Sequence, residues 1–133
     1  MFTYEIVSPE SIAAQGQAHM VVLEAAEGQL GLLENHAPLV AQLAPGLVSI
    51  FQSEVTPAQQ YFVTGGLVSM MDNRCVLLAD EALSFAGLTH TLVEARMKVA
   101  EDAKVLAATE REKTQALRLE AIANAMKSCL TSI

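Results

Sequence analysis

Glycine and proline are absent from the last third of this 133-residue chain, since all seven glycines and all four prolines lie within residues 1–87. These two residue types end helices and form tight turns, so their absence indicates that residues 88–133 are helical. The six aromatic residues also lie within residues 1–87. We therefore predict two domains with different structures, residues 1–87 and residues 88–133.

Other classes of protein are excluded by what is missing. No apolar run approaches the roughly 18 residues needed to cross a bilayer, and the N-terminus has neither the basic nor the apolar segment of a secretory signal. Cys75 and Cys129 lie far apart, and no CxxC motif or His/Cys cluster has metal-ligand spacing. We expect two reduced thiols rather than a disulfide, and no metal site.

Basic residues are scarce, which gives the chain a net charge of −7. This charge argues against binding to nucleic acid or to an acidic membrane surface. The deficit is local: residues 1–87 contain nine acidic residues and only Arg74 as a base, whereas residues 88–133 contain seven bases and six acids. Apolar residues make up 52% of the chain, which suggests that part of its surface is buried against a partner.

Short apolar and β-branched runs separated by turn residues predict a β-sandwich or barrel in residues 1–87. Asp72 and Asn73 form a two-residue hairpin loop, because both types tolerate positive φ. Gly65-Gly66 lacks the rest of a phosphate-binding motif, so we expect a β-bulge or a close backbone approach there. The predicted strands are residues 2–7, 18–23, 46–51, 60–64, 67–71 and 74–79.

Two helix-start patterns divide residues 88–133. Thr91 with Glu94, and Thr109 with Glu112, have the spacing of capping boxes, which predicts two helices. Paired as an antiparallel hairpin, the helices would bury their apolar stripes against each other, although without a breaker they could also form one long helix. The predicted stripes are Leu92, Ala95, Val99, Ala103 and Leu106 in the first helix, and Leu119, Ile122, Met126 and Leu130 in the second.

Three segments carry a family resemblance. Residues 27–39 read EGQLGLLENHAPL, residues 61–67 read YFVTGGL, and residues 76–82 read VLLADEA. Their order and spacing resemble the epsilon subunit of F-type ATP synthases, called delta in mitochondria. The resemblance is closest over residues 3–82. It implies an α+β fold with an N-terminal two-sheet β-sandwich followed by a C-terminal two-helix antiparallel hairpin.

The resemblance implies a rotor subunit of the central stalk that couples proton-driven rotation to ATP synthesis, with no catalytic or metal-binding residue. Its partners would be the gamma subunit, the c-ring and the catalytic beta and alpha subunits. The family usually has Pro-Gly before the histidine, where this chain has Glu34-Asn35, and Asn can keep the turn because it adopts the left-handed conformation. The gamma-contacting residues implied are His36, Ala37, Pro38 and Leu39.

A second loop of the family meets the polar loops of the c-ring. By itself the matching segment reads as a turn with two glycines, and Gln29 stands where the family often has an acid. The contact would therefore depend on Glu27 and on hydrogen bonding. The c-ring residues implied are Glu27, Gly28, Gln29, Leu30 and Gly31.

The helical arm of the family obstructs ATP hydrolysis when its basic residues meet an acidic segment of the catalytic beta subunit. The residues implied are Arg96, Lys98, Arg111, Lys113 and Arg118. The alternative is a solvated face with local ion pairs. Some members also bind ATP through an I/L-D-x-x-R-A motif. This chain keeps the arginine of the motif as Arg96, but Val93 replaces the aspartate and its side chain cannot accept a hydrogen bond. We therefore expect no cofactor.

Two other functions compete with the rotor role. A standalone interaction module could dimerise through its helices, although the stripes do not sustain three heptads. An enzyme is disfavoured because His36 has no nucleophile or carboxylate partner in the pattern. For the rotor role we expect a peripheral position on the cytoplasmic side of a bacterial inner membrane, held through the complex, or on an organellar inner membrane if a transit peptide was removed.

Overall fold

The computed structural model describes residues 1–55 and 58–131, and it divides into two compact units, Met1–Phe85 and a second that begins at Ala86. Ten strands and a short 3-10 turn, Phe85–Gly87, precede two helices in the described residues. The strands are β1 Phe2–Val7, β2 Ile12–Ala18, β3 Met20–Ala25, β4 Gly28–Leu33, β5 Leu39–Leu43, β6 Gly46–Phe51, β7 Gln59–Val63, β8 Gly66–Met71, β9 Arg74–Ala79 and β10 Ala82–Ser84. The helices are α1 His90–Leu106 and α2 Glu110–Thr131.

The β unit has two sets of strands that share one core. In the first set the order is β5-β8-β9-β1-β2, with β1 and β9 parallel. The second set has the order β3-β6-β7-β10, and β4 pairs with the other side of β3. Ala25 of β3 lies opposite Leu43 of β5, which joins the two sets by hydrogen bonds. The predicted two-sheet β-sandwich is confirmed, and this corner makes it resemble a barrel.

Alternate side chains of both sets of strands form the hydrophobic core. Val21 and Leu23 of β3 are fully buried, while Met20 and Val22, which face the other way, are half-buried. Full burial of a large aliphatic or aromatic side chain contributes about 1.5–3 kcal/mol to folding. The largest fully buried side chains of this core are Phe2, Ile6, Leu23, Leu32, Ile50, Met70 and Leu77.

Two tight features fix the β8–β9 hairpin. Asp72 and Asn73 have φ of 50° and 59°, which confirms the predicted two-residue loop. Gly66 has φ of 132°, and a Cβ on it would overlap the carbonyl oxygen of Leu78. The close backbone approach predicted for Gly65-Gly66 is therefore confirmed at Gly66, where only glycine fits.

The two helix starts differ from each other in how well they were predicted. Thr109 caps α2 as expected: Glu112 N donates to Thr109 Oγ1 at 3.1 Å, and Thr109 Oγ1 donates to Glu112 Oε1 at 3.1 Å. The predicted box at Thr91 is wrong, because α1 already begins at His90. Thr89 is its N-cap and accepts a hydrogen bond from Leu92 N at 3.2 Å.

The apolar stripe is confirmed on α2 and wrong on α1. On α2, Ile122 and Met126 are buried, as predicted. On α1, Val99 is 54% exposed, whereas burial falls one position away on Val93 and Ala100. Hydropathy favours Val99 over Ala100, but packing against α2 selects the face that fits the partner helix. The two helices form the predicted hairpin, joined through residues 107–109.

Candidate functional site

The segment predicted to meet gamma lies between β4 and β5. Asn35 has φ of 64°, so it adopts the left-handed conformation expected of it. His36 N donates to Leu33 O at 3.1 Å, which closes the turn, and His36 Nδ1 lies 2.7 Å from Ala37 O. Ala37 and Pro38 are exposed, whereas His36 and Leu39 are half-buried.

This loop is tied to the β8–β9 turn by a pair of asparagines. Asn35 N donates to Asn73 Oδ1 at 2.6 Å, and Asn73 Nδ2 donates to Asn35 Oδ1 at 3.1 Å. Thr3 N in turn donates to Asn73 O at 3.0 Å, so β1 is joined to the same turn. The carboxylate of Glu34 lies 3.1 Å from the amino group of Met1, which offsets the added negative charge at that position.

Apolar side chains lie on the outward side of the first set of strands, beginning next to this loop. Val40, the residue after the loop, is 70% exposed. Leu67 of β8 lies opposite Leu78 of β9, and both are about half exposed. Leu78 lies opposite Val7 of β1, which lies opposite Ile12 of β2. We call these five residues the apolar sheet face; sequence reasoning did not identify it.

The expected c-ring segment is a strand with a short turn rather than a loop. Ala25 lies opposite Gly28, so only Ala26 and Glu27 form the turn of the β3–β4 hairpin. The predicted turn over residues 27–31 is therefore wrong, because residues 28–33 continue the ladder and Gly31 lies opposite Val22. Glycine is needed at Gly28, where φ is 131°. Glu27, Gly28, Gln29 and Gly31 are exposed and Leu30 is half-buried.

One groove is lined by most of the predicted c-ring segment and, from the predicted gamma segment, by Leu39. A groove of about 410 Å³ separates the β3–β4 hairpin from β5, and residues 25–30 and 39–42 line it. Gln29 Nε2 donates to Glu24 Oε1 at 3.4 Å along the hairpin. Glu27 is exposed at the turn of this hairpin.

The basic residues of the arm are distributed over both helices rather than gathered at one point. Lys98, Arg111, Lys113 and Arg118 are exposed, and Arg96 is half-buried. Lys113 Nζ lies 3.6 Å from Glu110 Oε1, an i,i+3 pair at the start of α2. Such local pairs are the alternative that the sequence left open, and they contribute little to stability when exposed.

An ion pair and a groove lie between the two helices of the hairpin. Lys104 Nζ donates to Glu120 Oε2 at 2.8 Å, and this hydrogen bond and the charge of Glu120 raise the pKa of Lys104. Neither Arg96 nor Val93 lines the groove, which measures about 400 Å³. The expectation that no ATP binds stays a prediction. The groove is lined by Met97, Ala100, Glu101, Lys104, Val105, Glu120, Ala123 and Asn124.

In residues 1–55 and 58–131, no three His, Cys, Asp or Glu side chains are close enough to hold a metal ion. Over the same residues, neither helix has the length and apolar character required to span a bilayer. Cys75 is buried and Cys129 half-buried, and burial raises the pKa of the Cys75 thiol to about 12.

Known proteins resemble the chain over nearly all of its length. Residues 1–85 match the model of the ATP synthase delta/epsilon chain β-sandwich domain. The chain belongs to the ATP synthase delta/epsilon family. The ATP synthase epsilon chain of Rhodospirillum rubrum is 36% identical over 92% of this chain and 91% of its own. That of Paramagnetospirillum magneticum is 35% identical over 96% and 95%.

Two solved structures share the fold at low identity. A chain in the Euglena gracilis mitochondrial ATP synthase structure of OSCP, F1 and c-ring matches with a TM-score of 0.79 at 20% identity, over 96% of this chain and 79% of that one. A chain in the Tetrahymena thermophila mitochondrial ATP synthase structure of central stalk and c-ring matches with a TM-score of 0.72 at 17% identity, over 96% and 94%.

Family membership confirms the resemblance seen in the sequence and decides the question of catalysis. A chain of this family is a structural stalk subunit of ATP synthase and is not itself catalytic. The structural likeness confirms the α+β fold, with a β-sandwich followed by two helices. The function of such a chain therefore depends on its contact surfaces.

Proposed function

We propose that this chain is a rotor subunit of the central stalk in an F-type ATP synthase, where it couples proton-driven rotation to ATP synthesis by joining gamma to the c-ring. The proposal is supported by its relatives, which are ATP synthase epsilon chains. It is also consistent with the solved assemblies that contain its structural neighbours, described as F1 with c-ring and as central stalk with c-ring.

The gamma contact is formed by His36, Ala37, Pro38 and Leu39 together with the apolar sheet face. The observation that carries this proposal is that the loop and the apolar sheet face lie on one set of strands: the loop leads directly into exposed Val40 of β5, and Leu67, Leu78, Val7 and Ile12 form an apolar row across β8, β9, β1 and β2. An exposed apolar surface of this kind on a soluble chain marks an interface.

The c-ring contact is formed by the β3–β4 hairpin through Glu27, Gly28, Gln29, Leu30 and Gly31. The hairpin ends in a two-residue turn that presents the Glu27 carboxylate and exposed main chain to polar loops. Torque transfer needs a stiff body between the two contacts. The continuous hydrogen-bonded strands and the buried core between them supply that stiffness.

The helical hairpin acts as a brake on ATP hydrolysis by contacting the catalytic beta and alpha subunits through Arg96, Lys98, Arg111, Lys113 and Arg118. The whole chain binds the membrane only through the complex, on the cytoplasmic side of a bacterial inner membrane; an organellar inner membrane is the alternative. The domain boundary that separates the coupling and braking roles lies near Gly87. No ATP and no metal is required for either role.

The test of the gamma contact is binding of the full chain to its cognate gamma subunit, measured by native mass spectrometry and titration. We expect a one-to-one complex that Ala37→Arg weakens at least about tenfold, because the substitution places a bulky charge in the apolar contact. Ala13→Arg, at an exposed alanine of β2 outside the apolar sheet face, is the matched control. Equal affinity of both variants would reject the proposed surface.

A second candidate function is an interaction module that dimerises through its helices. The observation in its favour is the exposure of apolar residues on the hairpin, where Val105 and Leu106 are 78% and 77% exposed and Leu117 is 57% exposed. Sedimentation of the full chain separates the two functions. A monomer that binds gamma supports the rotor subunit, and a dimer that does not bind gamma supports the module.

A further inference from the structure

The loop that carries the proposed gamma contact is held at its base by two reciprocal hydrogen bonds. Asn35 N donates to Asn73 Oδ1 at 2.6 Å, and Asn73 Nδ2 donates to Asn35 Oδ1 at 3.1 Å. The two residues are 38 positions apart and occupy different turns. Each also has positive φ, 64° and 59°. Asparagine thus does two things at each position: it permits the turn, and its side chain joins that turn to the other.

The bonds lie where the strand pairing is interrupted. The β3–β4 ladder ends at Leu33, and the β5–β8 ladder begins at Leu39. Residues 34–38 therefore have no ladder to fix them, and the described hydrogen bonds of Asn35 and His36 hold the segment instead. On the other side, Asn73 O accepts hydrogen bonds from Thr3 N at 3.0 Å and from Thr3 Oγ1 at 3.3 Å. The loop is thereby anchored to β1 as well as to the β8–β9 hairpin.

We propose that Asn35 and Asn73 are positioning residues for the gamma interface: their paired side chains hold residues 36–39 in the conformation that gamma binds. The inference rests on the proposed gamma contact of that segment. A loop that is ordered before binding loses less conformational freedom in the complex, so its affinity is higher. The glycine that the family usually has before the histidine would permit the turn but has no side chain to make this bond.

The first experiment measures the affinity of the full chain for its cognate gamma subunit in the variants Asn35→Gly, Asn73→Gly and the double variant. Glycine keeps positive φ accessible, so the turns are not strained. Asn73→Gly removes both hydrogen bonds, whereas Asn35→Gly removes only the bond that Asn35 Oδ1 accepts, because the backbone N of residue 35 still donates to Asn73 Oδ1. We expect Asn73→Gly to bind gamma about tenfold more weakly, which corresponds to a binding-competent loop in a tenth of the molecules, and Asn35→Gly to lose less affinity. The double variant should bind no more weakly than Asn73→Gly, which already removes both bonds.

Asp72→Gly is the matched control. Asp72 lies in the same turn at φ of 50° but makes none of the hydrogen bonds that join Asn73 to Asn35 and Thr3. The affinity of this variant should stay within about twofold of the parent chain, because it changes only turn entropy and one exposed charge, which solvent screens. An equal loss in Asp72→Gly and Asn73→Gly, or additive losses in the double variant, would overturn the proposal.

A pair of isosteric variants gives a second measurement that does not depend on glycine. Asn35→Asp keeps the oxygen that accepts from Asn73 Nδ2, whereas Asn73→Asp replaces that donor with an acceptor facing Asn35 Oδ1. Both add the same charge, so their difference isolates the hydrogen bond. We expect Asn35→Asp to bind gamma more tightly than Asn73→Asp by about tenfold. Equal affinities would overturn the proposal.

Ala37→Arg distinguishes failure of this inference from failure of the proposed function. If Ala37→Arg binds gamma like the parent chain, residues 36–39 are not the contact and both proposals are rejected. If Ala37→Arg abolishes binding while the asparagine variants bind normally, the contact stands and only the positioning role is rejected. Unchanged thermal unfolding of the glycine variants, together with weaker binding, supports the positioning role.

Discussion

The two units of this chain differ in the side chains that they bury. The β unit fills its interior with large side chains such as Phe2, Ile6 and Leu77, and it carries a net charge of −8 with a single base. The helical unit buries fewer side chains, in which Ala100, Ala116 and Ala123 stand beside Ile122 and Met126, and it leaves large apolar residues on its surface. The difference indicates that the β unit is the more stable body and that the hairpin has the smaller core.

The sharpest test of this comparison is one large-to-small substitution in each unit. Leu77→Ala should lower the free energy of unfolding by about 2–5 kcal/mol, because the substitution leaves a cavity in the β core. Met126→Ala, also at a fully buried residue, should mainly lower the stability of the helices. Chemical denaturation followed by circular dichroism and by hydrogen exchange separates the two. Loss of β-strand protection in Met126→Ala would contradict the comparison.

The next largest loss of stability is expected from a substitution that strains the backbone of the β unit. Gly66→Ala should destabilise the chain by about 1–3 kcal/mol or more, because alanine is strained at φ of 132° and its Cβ overlaps the Leu78 carbonyl oxygen. Gly31→Ala is the control, since a Cβ there meets nothing within 4 Å. Thermal unfolding of both variants measures the difference. Equal melting temperatures would show that the hairpin tolerates a shift of β8 against β9.

Alkaline pH should weaken the β unit through Cys75. Burial raises the pKa of this thiol from 9.0 to about 12, so the folded chain keeps a proton that the unfolded chain loses. The stabilisation is complete below pH 9 and falls between pH 9 and 12 by up to about 1.4 kcal/mol per pH unit. Chemical denaturation at pH 8 and at pH 10.5 measures this loss of stability. Cys75→Ala should reduce the difference; an unchanged slope would mean that other groups cause it.

The smallest expected loss of stability comes from removing the N-cap residues of the two helices. Thr109→Ala and Thr89→Ala should each lower helix stability by about 1 kcal/mol, because each removes an N-cap oxygen. Thr91→Ala should change little, since Thr91 lies inside α1 and is exposed. Helical circular dichroism during thermal unfolding reports all three. If Thr91→Ala lowered helix stability as much as Thr89→Ala does, Thr91 would be supported as the N-cap of α1, as the sequence predicts.

Local patterns predicted local structure well. The hairpin at Asp72 and Asn73, the cap at Thr109 and the close approach at Gly66 each depend on a few neighbouring residues, and each is confirmed. At the start of α1 the capping-box pattern selected Thr91, although the helix begins one residue before it and Thr89 is the N-cap. The local pattern therefore placed this N-cap two residues too late.

What the sequence did not predict depends on contacts between distant segments. Gly28 to Gly31 looked like a turn, but pairing with β3 draws these residues into a strand. Ala100 is buried instead of Val99 because α2 covers that face. The bond between Asn35 and Asn73 joins residues that no spacing rule connects. The apolar sheet face likewise emerges only when the register aligns side chains from several strands.

In the proposed function, the β unit carries the coupling contacts and the hairpin carries the brake. The most direct measurement is ATP hydrolysis by the assembled complex containing the chain truncated after Gly87, together with the affinity of that truncated chain for gamma. We predict that gamma binding is kept and that hydrolysis becomes faster. Loss of gamma binding by the folded β unit, or an unchanged hydrolysis rate in a fully assembled complex, would contradict this division of roles.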